Sequence, residues 1–186
     1  MNTKRKPIFI ISGTSASGKS SVWLPLREQL GIYAFTTSCT TRPKRPTETN
    51  GDDYKFVSLH KFEEMIKNGE FLEHQEVHGD LYGTEKTEFH SLVHSGKIGI
   101  MELDVHGALA MKEKYDNIVL VFVRPSDPYE AAKRLEERAT EDKIAIETRI
   151  KRFDVELELS KRYDHIIIND DLTKAQKKLV EIIESY

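Results

Sequence analysis

The sequence predicts an α/β fold built on a parallel sheet, and three observations carry that expectation. Short apolar runs at 8–12, Ile98 to Leu103, Ile118 to Val123 and Ile166 to Ile168 have the length and composition of buried strands. Helical stretches separate them, and parallel strands need such crossovers. The first run leads into Gly13-Thr14-Ser15-Ala16-Ser17-Gly18-Lys19-Ser20, after which apolar residues recur at Val22, Trp23, Leu26 and Leu30. That spacing is helical, and Gly31 supplies a stop.

The loop fits G-x-x-x-x-G-K-[ST], a pattern that holds nucleotide phosphates. Its backbone N–H groups converge on phosphate oxygens, and the helix that follows directs its positive end at the same anion. Lys19 adds a point charge for β- and γ-phosphates, and the Ser20 hydroxyl suits Mg²⁺. Gly13, Ser15, Ala16, Ser17, Gly18, Lys19, Ser20 and Ser21 are the expected ATP-binding residues. Pro25 falls inside the helix after the loop, where it removes a hydrogen bond and should kink the helix.

The chain has 186 residues, 38% hydrophobic and 32% charged, enough for one sizeable domain. A formal net charge of −3 argues against a protein devoted to nucleic-acid backbones. Cys39 is the only cysteine, which excludes an intramolecular disulfide and suits a reducing compartment. No apolar stretch approaches a membrane span. The basic start, Met1 to Lys6, precedes an apolar run that reads as a core strand rather than a secretion signal. The expectation is a cytoplasmic protein without nucleic-acid or membrane partners, monomeric or homodimeric.

Two regions break the strand–helix alternation. Residues 39–53 carry little apolar material and read as a functional loop. Residues 54–90 mix strand-like pieces, Tyr54 to Val57 and Phe71 to Val77, with helical ones near 59–68 and 85–94. They suggest a small inserted α+β lobe. Residues 127–162 are charged and helical with an interruption near Ala139, the pattern of a hinged lid. A last helix is expected over 171–185, with acidic residues at its start.

Arg42 and Arg45 lie in a proline-stiffened loop, and guanidinium groups bind phosphate through paired donors. Arg134 and Arg138 form an i, i+4 pair, and Arg149 follows the hinge. They suit either a salt-bridged helical surface or a lid that neutralises charge on a migrating phosphoryl group. Asp104, after the apolar run Ile98 to Leu103, is placed to orient Mg²⁺. Glu102, two residues earlier, is expected on the same side of the strand. A glutamate in an apolar run needs partners, so a structural ion pair is its alternative reading.

These residues together resemble the guanylate kinase family. The resemblance runs in order through the phosphate loop, Thr40-Thr41-Arg42-Pro43-Lys44-Arg45, Gly51-Asp52-Asp53-Tyr54-Lys55-Phe56-Val57, Glu70-Phe71-Leu72-Glu73, Leu81-Tyr82-Gly83-Thr84, Glu102-Leu103-Asp104-Val105-His106-Gly107-Ala108, the 134–149 arginines and Ile168-Asn169-Asp170-Asp171. It implies a P-loop kinase with a three-layer core, an inserted GMP-binding lobe and a helical lid. It divides a single domain, 1–186, into a core of 1–36, 97–126 and 163–186, a GMP lobe of 37–96 and a lid of 127–162.

The activity it implies is ATP + GMP ⇌ ADP + GDP, with Mg²⁺ as cofactor held by Ser20 and Asp104. Ser38, Glu73, Thr84 and Glu102 would recognise guanine. Arg42, Arg45, Tyr54 and Tyr82 would hold the GMP phosphate. Lys19, Arg42, Asp104, Arg134, Arg138 and Arg149 would serve catalysis, and Asn169, with Arg138, the ATP side. This matches guanine chemistry, since N1–H and the N2 amino group donate and O6 accepts. The sequence departs from the family pattern at Ala16, His74, His106, Arg124 and Ala139, and at Pro25. Two other readings share the fold: a non-catalytic protein-binding module, and a kinase for another small phosphorylated substrate. The retained phosphate-handling residues argue against the first, and the guanine-facing set against the second.

Overall fold

The computed structural model describes residues 6–14, 17–29, 31–77, 79–127 and 154–186. The elements run β1 (Ile8–Gly13), α1 (Lys19–Trp23), a 3-10 turn (Leu24–Gln29), β2 (Tyr33–Phe35), β3 (Cys39–Thr40), β4 (Lys55–Phe56), α2 (Leu59–Lys67), β5 (Phe71–Val77), β6 (Asp80–Glu85), α3 (Lys86–His94), β7 (Ile98–Glu102), α4 (Val105–Lys114), β8 (Ile118–Arg124), β9 (His165–Ile168) and α5 (Leu172–Glu184). Among the described residues, one compact unit is built from 32–101 and a second from 7–31 with the chain after 101.

The second unit confirms the α/β expectation. β8 lies between β1 and β9, and all three are parallel. β8 reads Ile-Val-Leu-Val-Phe-Val because a strand covered on both faces needs apolar side chains at every position; Ile118 through Val123 are all buried. The register pairs Ile8 with Ile118 and Gly13 with Val123. At that last pair a Cβ on Gly13 would lie 2.2 Å from the Val123 carbonyl oxygen. The strand can therefore turn into the loop there only as glycine. α5 begins at Asp171, whose carboxylate accepts from the Lys174 N–H at 3.1 Å, as the acidic start predicted.

The helix after the loop is shorter than the apolar spacing suggested. α1 ends at Trp23, and a 3-10 turn takes over. Pro25 is the cause: it has no N–H to offer the carbonyl of Ser21, four residues back. Gln176 of α5 fills the gap, donating from Nε2 to that Ser21 oxygen at 2.9 Å. The expected kink is thus a change of helix type with an outside donor completing the backbone.

The first unit contains the whole 37–96 stretch. A four-stranded sheet in the order β4-β3-β6-β5 carries it, with β3–β4 parallel and the other pairs antiparallel. β2 and β7 pair in parallel, Tyr33 opposite Ile98. α2 is capped by Ser58, whose Oγ accepts from the Lys61 N–H at 3.2 Å. Its apolar face puts Phe62 and Met65 against Phe71 and Cys39. The Phe62 and Phe71 rings stack at 4.4 Å. Each such ring contributes about 2–3 kcal/mol by burial. Gly83 completes the packing, since a Cβ there would meet Phe71 Cδ1 at 2.9 Å. Strand β6 was not evident from periodicity, because Leu81-Tyr82-Gly83-Thr84 shows no apolar alternation.

Candidate active site

In the second unit the phosphate loop is braced from several directions. Gly18, at the N-cap of α1, has φ 73°, the left-handed region that favours glycine. Ser17 N–H closes a turn onto the Thr14 carbonyl at 3.1 Å, and Thr14 N–H donates to Val123 at 3.3 Å. Asn169 Nδ2 donates to the Ser17 carbonyl at 2.7 Å. The hydroxyls of Thr14 and Ser17 are buried with no hydrogen-bond partner. Buried hydroxyls without partners are costly, and they suit a loop built to meet phosphate oxygens.

Lys19, Ser20 and Glu102 come together in the same unit. Glu102 Oε1 lies 3.4 Å from Lys19 Nζ. Glu102 Oε2 accepts from the Ser20 hydroxyl at 2.9 Å and from the indole N–H of Trp23 at 2.7 Å. The ion pair that the sequence left as an alternative for Glu102 is therefore present, with a phosphate-loop lysine as partner. Trp23 was missed by the sequence reading, which took it as a core residue. The available signal was its place four residues after Lys19, on the same helical face.

Asp104 follows the strand, as the sequence suggested, and has a further structural task. β7 ends at Glu102, and Asp104 is the N-cap of α4, its Oδ1 accepting from the Gly107 N–H at 2.7 Å. The Ser12 hydroxyl fixes this segment by donating to the Leu103 carbonyl at 2.8 Å. The oxygen donors here, a serine hydroxyl and carboxylates, are of the hard type that Mg²⁺ prefers, usually together with substrate phosphates and water. Among the described residues no group of three or more His, Cys, Asp or Glu side chains forms a metal cluster of its own.

The first unit collects two further groups. Register pairs Glu73 of β5 with Thr84 of β6. Glu73 Oε1 accepts from the Thr84 N–H at 3.0 Å, and the Ser38 and Thr84 hydroxyl oxygens are 3.4 Å apart. Three of the four expected base-contacting residues thus share one patch of sheet. Tyr82, two residues before Thr84 on β6, stands in the second group. The Tyr54 and Tyr82 rings pack edge to face at 6.0 Å, and the Arg42 guanidinium lies 5.6 Å over the Tyr54 ring.

Glu48 organises that second group and was also missed. Its Oε1 accepts from Arg42 Nη2 at 2.7 Å, its Oε2 from the Arg45 backbone N–H at 2.7 Å, and the Arg45 Nη1 lies 3.8 Å away. Burial pushes the Glu48 carboxyl up, but the Arg42 and Arg45 contacts outweigh it and hold it below the ordinary value. Lys55 Nζ of β4 bonds both Glu85 and Glu88 at 2.7 Å. Burial opposes its charge, yet the two carboxylates raise Lys55 to about 12. Ser15, Ala16, Arg134, Arg138, Ala139 and Arg149 lie outside the described residues.

The guanylate kinase family model matches residues 4–186. The chain belongs to the guanylate kinase family. It is 37% identical over 178 residues to a guanylate kinase of Thermotoga maritima, covering 96% of this chain and 86% of that one. A guanylate kinase of Fusobacterium nucleatum subsp. nucleatum is 38% identical over 178 residues, covering 96% of each chain. The crystal structure of guanylate kinase from Anaplasma phagocytophilum superposes with a TM-score of 0.80 at 27% identity, covering 100% of this chain and 88% of that one. As a guanylate kinase family member the chain is a nucleotide phosphotransferase. Among its described residues no helix is long and apolar enough to cross a membrane.

Proposed function

We infer that this chain catalyses ATP + GMP ⇌ ADP + GDP. The observation that carries the reading is the presence, in one chain, of a braced phosphate loop ending in Lys19 and Ser20 and of the Ser38–Glu73–Thr84 group beside Arg42, Tyr54 and Tyr82. A donor-phosphate site alone would fit any P-loop enzyme. The second set is what a small phosphorylated purine requires.

Guanine offers N1–H and N2–H donors to the Glu73 carboxylate, which the Thr84 N–H already orients. Ser38 and Thr84 supply hydroxyls for O6. The family resemblance also assigns Glu102 to the base edge. Arg42, Arg45, Tyr54 and Tyr82 hold the GMP phosphate, whose oxygen attacks the γ-phosphorus of ATP. The bond to the β,γ-bridging oxygen breaks, and ADP leaves with that electron pair. Lys19 and the loop N–H groups take the charge that builds on the departing phosphates.

Mg²⁺ would be held by ATP phosphate oxygens and the Ser20 hydroxyl, with Asp104 behind it, and would supply neutralisation of phosphate charge. The family resemblance assigns Asn169 to the adenine side and Arg134, Arg138 and Arg149 to the transferring group. A coupled assay should show ADP formation that depends on GMP. Absence of ADP at saturating ATP, Mg²⁺ and GMP would sink the reading. Calorimetry with GMP, AMP and IMP checks the base: GMP should bind tightest, and equal binding of all three contradicts the guanine assignment.

A further inference from the structure

Lys55 of β4 reaches past the neighbouring strand of its own sheet. The order is β4-β3-β6-β5, so β3 lies between β4 and β6. The ammonium nonetheless ends 2.7 Å from Glu85, the last residue of β6, and 2.7 Å from Glu88 in the first turn of α3. Both carboxylates also hold the segment 37–39. Glu88 Oε2 accepts from the Thr37 N–H at 3.3 Å, and Glu85 Oε1 from the Cys39 thiol at 3.5 Å. Glu85 precedes α3 without capping it, so its carboxylate serves this cluster instead. The Lys55 backbone N–H donates to the Ser38 carbonyl at 2.9 Å. Ser38 is thus held at its own carbonyl and at both its neighbours, and Thr84 immediately precedes Glu85. All of these residues belong to the first unit.

We propose that Lys55 is a positioning residue that sets the spacing of the Ser38 and Thr84 hydroxyls for guanine O6. The proposal rests on the reading of GMP as substrate. The two hydroxyl oxygens are 3.4 Å apart, and a single acceptor atom meets both only while that spacing is held. Two carboxylates bonded to one ammonium lie close together. At 19% and 27% exposure, water screens their repulsion only in part. Lys55 cancels that repulsion, and its elevation to about 12 keeps it charged across neutral pH. Without it Glu85 and Glu88 separate. Glu85 then shifts Thr84, and Glu88 releases Thr37, the residue before Ser38.

The test is kinetics of the full chain in GMP and ATP. Lys55→Met keeps the aliphatic stem and removes the charge. The expected result is a rise in KM for GMP of about 5- to 20-fold, with KM for ATP changed less than about twofold. The reason for the split is that Glu85, Glu88 and Ser38 lie outside the phosphate loop. Adding Glu88→Gln removes the repulsion and leaves an oxygen for the Thr37 N–H. The double variant should regain at least about threefold of the lost KM for GMP. A packing role for Lys55 would not be repaired by a second change of charge. Equal rises in both KM values, an unchanged KM for GMP, or no recovery in the double variant overturns the proposal.

Glu85→Gln leaves the Lys55–Glu88 pair in place and decides the matter even if Lys55→Met does not fold. KM for GMP should then rise about 2- to 5-fold with KM for ATP unchanged. No rise overturns the proposal. Lack of any GMP-dependent ADP formation by the unaltered protein would remove the parent reading and this proposal together. Normal turnover with an unaffected Lys55→Met would remove only this one.

Discussion

Asn169 stands directly against Gly18: its Nδ2 lies 2.7 Å from where a Cβ on that glycine would be, and the same amide nitrogen donates to the neighbouring Ser17 carbonyl at 2.7 Å. The side chain assigned to the adenine side is thus also a strut of the phosphate loop. Asn169→Ala should therefore cost stability as well as ATP affinity. The expected loss is about 1–2 kcal/mol in a urea titration, with a rise in KM for ATP. An unchanged midpoint would restrict Asn169 to the nucleotide. Gly18→Ala meets both the left-handed φ and the amide, and should lower kcat/KM by more than about 100-fold.

Lys19 Nζ is ion-paired to Glu102 at 3.4 Å. Phosphates must compete with a carboxylate for it, and they do so with more charge and a converging set of backbone donors. Lys19→Met should reduce kcat by about 10²–10³-fold, measured under saturating ATP and GMP. KM for GMP should change less than about twofold, because the Ser38, Glu73 and Thr84 contacts do not involve Lys19. A large rise in KM for GMP with kcat intact would contradict the donor-side role of Lys19.

Much of this architecture was legible because it depends on local patterns. The apolar runs of β1 and β8 and the amphipathic face of α2 each state their own burial. The phosphate loop was legible for the same reason, since Gly18, Lys19 and Ser20 are contiguous. Glu48 and Trp23 were hidden by their type. A loop glutamate beside arginines reads as solvated charge, and a tryptophan at helical spacing reads as core. Their roles arise from what the fold brings to them: Trp23 gains an acceptor 79 positions away in sequence. Asp104 shows the converse. Its place just after the strand was legible from the apolar run, but its capping of a free helix N–H was not.

Cys39 is buried in the core of the first unit beside Phe62 and Phe71. Burial first, and the neighbouring Glu85 carboxylate second, push its thiol up to about 12. Only the thiolate reacts with disulfide reagents, and at pH 8 almost none is present. The folded protein should show less than about a tenth of one reactive thiol over minutes at pH 8, and one full thiol in denaturant. Rapid stoichiometric labelling of the native chain would place Cys39 outside that core.

Glu48 gives the Arg42–Arg45 loop a pH dependence of defined sign. Its carboxyl is held below its ordinary 4.5 by Arg42 and Arg45, against the opposing effect of burial. A group with a depressed folded value contributes stability that is fully present above the unfolded value and drains away as pH falls through the folded one. Between pH 7 and 5 the chain should be more stable than Glu48→Gln by about 1 kcal/mol. Below pH 4.5 that advantage should shrink, and it should approach zero once both states are protonated. Urea titrations of the two proteins at pH 7, 5, 4 and 3 measure the difference directly. A gap that stays constant across the series would show that Glu48 acts through packing alone, since only loss of its charge releases Arg42.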